Sequence, residues 1–336
     1  MDIELLRDRA GIIRGVRAFF DGRDYLEVDT PLLAPDLIPE SCLEVFETFR
    51  ILPEGSRGNN RLAEKPYWLI PSPELWMKRL IARHRASLYQ ICKCFRNGES
   101  SGRQHSPEFT MLEYYTVEAD YLDSLKLTEE LFSFLLAASA NDGSADLSPP
   151  FIRLTVEEAF RRWAGFELYE AASSPAAMEE EARRLGLDPM PGLSVHELYD
   201  LVFIHAVEPR LRMERPVALM DYPAFAPCLA KKHKDGKTLE RWELYARGIE
   251  LANCFTEETC PNEVRRFFEN EKAAKEKTAI VCHHVDDDYW KIFCQQNPLG
   301  IFPQCSGVAM GLDRLIMLLT GRKTIDGVLP FPMGYL

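Results

Sequence analysis

Residues 88–96 and 109–116 read as strands, and a polar, Gly-containing loop from Gly98 to Pro107 joins them. Alternation places every second residue on one face of a strand. The two runs therefore read as a hairpin with a tip suited to function. On the second run Phe109, Met111, Glu113 and Tyr115 point one way, and Thr110, Leu112 and Tyr114 the other. An aromatic ring, a carboxylate and a phenol on one face suit a flat base and a cationic amine. Arg96 ends the first run with a planar fork that matches phosphate. A half-buried sheet with a structural ion pair explains the same residues, and the hairpin alone leaves both readings open.

The flanking segments supply the rest of a layered fold. Ile12, Ile13, Val16, Phe19 and Phe20 share one face of a helix over residues 3–20, which Asp21-Gly22 ends. Tyr25 to Pro31 alternates like a strand, and Glu54 to Asn60 reads as a hairpin tip or mobile loop. Tyr67 to Ile70 is a short buried strand that runs through Pro71-Ser72-Pro73-Glu74 into a helix ending near Arg83. From about 121 to 215 the texture is helical, as expected of an insertion beside the sheet. Thr155 with Glu158 and Ser194 with Glu197 have capping-box spacing, and 141–150 reads as a linker. Strand patterns return at 217–221, 239–245 and 248–253. Pro261 to Lys277 is a charged, solvated helix, and Ser306 to Leu319 passes from strand to helix.

A chain of 336 residues can bury a sizeable core in one large domain or two. No run approaches the ~20 apolar residues that span a bilayer, and Met1-Asp2-Ile3-Glu4 opens no signal peptide. Nine cysteines without zinc-type pairing read as reduced thiols, which makes a cytoplasmic location the expectation. The net charge of −12 argues against a broad nucleic-acid surface. Lys231 to Lys237 is the densest basic run and reads as an exposed turn. Cys282-His283-His284 and Asp286-Asp287-Asp288 are contiguous, not spaced for one tetrahedral ion, so a solvated loop is expected.

Two further groups can carry chemistry. Glu243 and Glu250 flank a tight turn, as Mg²⁺ ligands or as edge-strand carboxylates. In Gly307-Val308-Ala309-Met310-Gly311-Leu312-Asp313-Arg314, small residues let a ligand approach the backbone, or let strand and helix pack closely.

Together the segments resemble class II lysyl-tRNA synthetases. Phe95-Arg96-Asn97 with His105 to Tyr115 is similar to motif 2, Gly307 to Arg314 to motif 3, and Phe20 to Pro31 to motif 1. Pro71 to Glu74 and Gly248-Ile249-Glu250-Leu251-Ala252-Asn253 resemble the amino-acid-binding segments. The matches keep the family's order from about residue 5 to 330. The resemblance implies an α+β class II catalytic core, an antiparallel sheet flanked by helices, spanning 1–336 as one domain and pairing as a homodimer through motif 1. It implies that Arg96, Arg314 and Glu243 are catalytic. Arg96, Asn97, Gly98, Glu99, Ser106, Phe109, Glu243, Leu244, Gly311 and Arg314 would bind ATP, with Phe109 stacked on adenine. Ser72, Pro73, Glu74, Glu113, Tyr115, Glu250, Asn253 and Ala309 would bind the amino acid, and Glu243 with Glu250 would hold Mg²⁺.

Lysyl-tRNA synthetases carry an anticodon-reading domain ahead of motif 1, and here the motif 1 helix begins at about residue 3. That resembles the truncated paralogs that join lysine or (R)-β-lysine to a lysine side chain of elongation factor P. Ala309, where the synthetases usually have Gly, fits the same branch, because one methyl shifts pocket selectivity by roughly 1–3 kcal/mol. The alternatives are an enzyme that charges tRNA with α-lysine and an inactive binding module. The motif 2 loop departs from the family: Arg96-Asn97-Gly98-Glu99 stands where the family has Arg-Asn-Glu, and Ser106 replaces Asn.

Overall fold

The computed structural model describes residues 3–51, 64–98, 102–138, 146–294 and 300–332. The expected loop at 54–60, Glu99 and the linker's residues 141–145 lie outside them. Helix α1 (Ile3–Asp21) leads to short strands β1 (Leu26–Glu27) and β2 (Leu33–Ala34), then β3 (Glu47–Ile51) and β4 (Glu64–Leu69). Helix α2 (Glu74–His84) precedes the hairpin, β5 (Leu88–Phe95) and β6 (Glu108–Val117). Next come α3 (Tyr121–Ala138), β7 (Ile152–Thr155), α4 (Val156–Ala159), α5 (Leu168–Ala171), α6 (Pro175–Arg184) and α7 (Val195–Val202). The chain continues through β8 (Val217–Met220), β9 (Arg241–Ala246), β10 (Ile249–Thr256), α8 (Pro261–Thr278), β11 (Cys305–Gly311) and α9 (Leu312–Leu319).

Eight strands form one sheet in the order β1-β5-β6-β11-β10-β9-β8-β7. Its six central strands are antiparallel, as expected, and β1 and β7 add parallel edges. The sheet's apolar face carries Leu112, Tyr114, Trp242, Leu244, Val308 and Met310. It packs against Val16, Phe19 and Phe20 of α1, Leu131 and Phe132 of α3, and Leu315 to Leu319 of α9. The Phe20 ring stacks on Tyr89 at 4.9 Å between centroids, which seats α1 on the hairpin. The opposite face, with Glu113, Tyr115 and Glu243, is left for a site.

Three sequence readings change. The stretch read as helical from 121 to 215 contains β7, which pairs with β8. Thr155 ends that strand and also caps α4, and both expected capping boxes are present. The strand read over 25–31 is only β1, because two residues reach a partner before Pro31. Helix α8 is charged outside but buries Val264, Phe268, Glu271 and Lys275. Lys275 donates to the Glu40 carbonyl at 3.0 Å and to the Leu43 carbonyl, and Glu271 accepts from the Ser41 amide at 2.8 Å. The helix thereby clamps segment 40–44.

Asp313, 1% exposed at the start of α9, ties three elements together. It accepts from the Thr110 amide at 2.7 Å and pairs with Arg9 of α1 at 2.6 Å. Removing one partner of a buried ion pair costs about 3–5 kcal/mol. Asp313→Ala is expected to lower unfolding stability in urea by that order, and a loss under about 1 kcal/mol contradicts this role.

Candidate active site

Above the polar face lies a cavity of about 420 Å³. Strand β6 contributes Phe109, Glu113 and Tyr115, and β11 contributes Ala309 and Gly311. Arg314 follows on α9, and Glu243, Glu250 and Asn253 come from the β9–β10 pair. Ser72 and Glu74 line it from the start of α2, and Arg96 and Ser106 from the hairpin loop. Thus thirteen of the expected positions meet in one place, although they span residues 72 to 314.

The others do not line it. Leu244 lies in the core on the opposite face, since it neighbours Glu243 on an alternating strand. Its side chain is therefore removed from any cavity ligand. Pro73 caps α2. Asn97 donates to the Val45 carbonyl at 3.3 Å, and its side chain accepts from the Gly98 amide at 2.9 Å, so this pair shapes the loop. Glu99 lies outside the described residues.

The cavity has two chemically different ends. At one, Glu113 accepts from the Tyr115 hydroxyl at 2.8 Å through Oε1. Its Oε2 is buried with no hydrogen-bond partner among the described residues. Beside it stands Glu257, a residue the sequence reading passed over. It is 1% exposed, and its Oε2 lies 2.5 Å from Lys78 Nζ, while Oε1 has no hydrogen-bond partner among the described residues. Burial pushes Glu257 up to about 8 despite Lys78, and burial with the charge of Glu74 pushes Glu113 well above the carboxylate range. Buried acceptors without donors are costly. This end is therefore shaped to receive N–H groups that bring positive charge.

Gly307 makes the arrangement possible. It pairs with Tyr115 in β6, and a Cβ there would collide with the Tyr115 ring and lie 2.9 Å from Glu257 Oε1. Ala309, two residues on, pairs with Glu113 on one side and Asn253 on the other.

The other end carries guanidinium groups. Arg96 lies over the Phe109 ring, 5.3 Å from its centre. Arg314 donates to the Gln104 carbonyl at 3.0 Å and the Glu250 carbonyl at 2.7 Å, joining the hairpin loop to β10. Arg241, also unanticipated, donates to Glu243 at 2.6 Å and Asn253 at 3.1 Å. Glu243 accepts as well from Tyr222 at 2.5 Å and Tyr245 at 2.8 Å, which fixes its carboxylate before anything binds. Glu250 opens onto the cavity, yet the enclosing walls and the charge of Glu243 push it up to about 7. Eight carboxylates and three guanidiniums line the cavity, an excess that favours a cationic occupant beside an anionic one. No cluster of three or more metal-ligating side chains occurs among the described residues, Cys282 to His284 included.

With this geometry in hand, the family is plain. The model of class II tRNA synthetases (D, K and N) matches residues 3–334, and the chain belongs to that family. It is similar to proteins named elongation factor P–(R)-β-lysine ligase. Those from Avibacterium paragallinarum, Vibrio atlanticus (strain LGP32) and Vibrio vulnificus (strain YJ016) are 34%, 35% and 36% identical. Each alignment covers 98% of this chain and 95–96% of the relative. Among the described residues no helix is long and apolar enough to cross a membrane.

The raised carboxyls have a thermodynamic signature. An ordinary glutamate ionises near 4.5, whereas burial raises Glu113 well above that range. Above the ordinary value the folded state binds more protons than the unfolded one, so stability falls as pH rises. Each pH unit in that window costs about 1.4 kcal/mol per such group. Glu113→Gln is expected to flatten the decline of Tm above about pH 5. An unaltered slope contradicts the assignment.

Proposed function

We propose that the chain activates lysine or (R)-β-lysine with ATP as an aminoacyl-adenylate and transfers the aminoacyl group to a lysine side chain of elongation factor P. The observation that carries this reading is the polarity of the cavity: unpartnered carboxylate oxygens at one end and guanidiniums at the other. The former suit a diamino acid and the latter a triphosphate. The shared name of the relatives supports the acceptor.

Glu113, Tyr115 and Glu257 receive the distal ammonium, and Glu74 the amine nearer the carboxyl group. Arg96 swings off Phe109 to the α-phosphate, and the freed ring takes adenine. Arg314 holds the γ-phosphate. The amino acid's carboxylate then attacks the α-phosphorus in line, pyrophosphate leaves, and the acceptor amine displaces AMP from the mixed anhydride. Positioning and charge neutralisation do most of this work, and no protein nucleophile is needed. Glu243 and Glu250 would hold a Mg²⁺ ion, because both carboxylates line the cavity with the guanidiniums and Glu243 is preset by its donors. The ion would offset phosphate charge. Leu26 in motif 1 and Leu33 just after it expose apolar side chains, which supports a homodimer. Sedimentation at twice the chain mass is the expected result, and a monomer contradicts it.

The direct test incubates the protein with ATP, Mg²⁺ and either lysine isomer, with purified elongation factor P or tRNA. A mass increase on the factor by one lysyl or β-lysyl unit is expected. Charging of tRNA without that increase contradicts the reading. Ala309→Gly is expected to shift preference toward α-lysine by about tenfold in kcat/KM, as one pocket methyl can. An unchanged ratio removes Ala309 from substrate selection.

A further inference from the structure

Lys78 lies one helical turn after Glu74, and its side chain is wholly buried beneath the carboxylate end of the cavity without lining it. Its ammonium is 2.6 Å from Glu74 Oε1 and 2.5 Å from Glu257 Oε2, with the Phe255 ring 5.4 Å away. A buried ammonium persists only when opposed charges offset its desolvation. Here Glu257 and Glu74 do so and hold it charged well above the ordinary lysine range.

We propose that Lys78 is a positioning residue that sets the charge of the amine pocket. Glu74, Glu113 and Glu257 bring three negative charges once a cation enters. Lys78 cancels one, and the two that remain match the two ammonium groups of a diamino acid. This rests on the reading that lysine or β-lysine is the substrate. Geometry supports it further: Lys78 grips one carboxylate from α2 and one from the end of β10, so it fixes the spacing between them.

The groups that face this network define its titration. Tyr289 approaches Lys78 from the turn before β11, and Cys305 lies nearby on β11. Glu113 faces Glu74, Tyr115, Cys92 and Lys78, and Glu257 faces Lys78, Glu74 and Glu258. Of these only Lys78 is a cation, and it lowers both Glu113 and Glu257. Without it the carboxyls keep their protons to higher pH and receive an ammonium less readily.

Lysine-dependent ATP–pyrophosphate exchange across pH 6 to 9 tests this on the wild type, Lys78→Met and Lys78→Arg. The methionine variant is expected to raise KM for the amino acid about tenfold at pH 7 and to move its acid limb up by about one unit. KM for ATP should change less than about twofold, and the arginine variant should restore the limb. An unmoved limb, with KM for both substrates altered alike, overturns the proposal. If Lys78→Met does not fold, Lys78→Met/Glu257→Gln is expected to fold, because the unpaired buried carboxylate is gone. A double variant that stays unfolded overturns it equally. If the wild type exchanges with neither isomer, the proposed function falls and this inference with it. Exchange by the wild type with an unmoved limb in the variant removes Lys78 alone.

Discussion

The site depends on the pairing of β11 with β6. That register sets Gly307 against Tyr115 and Ala309 against Glu113. A slip by one residue would turn Val308 and Met310 toward the cavity and strip the core of two wholly buried side chains. The apolar face thus enforces the register, and the register places the polar face. Asp313 and Arg9 lock the same strands from below, so the layer that supplies stability also positions the chemistry.

On the polar face the organising quantity is charge that is only partly compensated. Glu243 is fully engaged by Arg241, Tyr222 and Tyr245 and behaves as a fixed electrode. Glu113 and Glu257 each keep one oxygen without a donor among the described residues, and burial raises both carboxyls, Glu257 despite its ion pair with Lys78. The cavity holds electrostatic energy that a diamino acid and a metal-bound triphosphate would release together. On the proposed reading, a monoamine would leave a buried carboxyl without its donor.

Much of this was legible in the chain. Alternation assigned the faces of β6 correctly, and the ordered motifs brought Arg96, Glu250 and Arg314 to one place. What escaped detection depends on long-range crossings. Glu257 stands one residue beyond β10, and only its closeness to Gly307 and Lys78 makes it part of the cavity. Nothing in the helix that follows Glu74 marks Lys78 as buried, although its four-residue spacing from Glu74 is a usable sign. Helix α8 looks solvated by composition, yet it buries Glu271 and Lys275 to hold segment 40–44. The Leu244 side chain lies on the core face, which the strand's own alternation gives and the motif does not. The four residues of β7 were hidden by the capping signal at Thr155.

The most direct test of the account is a crystal structure with a non-hydrolysable sulfamoyl analogue of the lysyl-adenylate. The account predicts the distal ammonium within hydrogen-bond reach of Glu113, Tyr115 and Glu257, the adenine on Phe109, and Arg96 against the sulfamoyl group. An ammonium bound instead at Glu243 and Glu250, with Arg96 still covering Phe109, would contradict it.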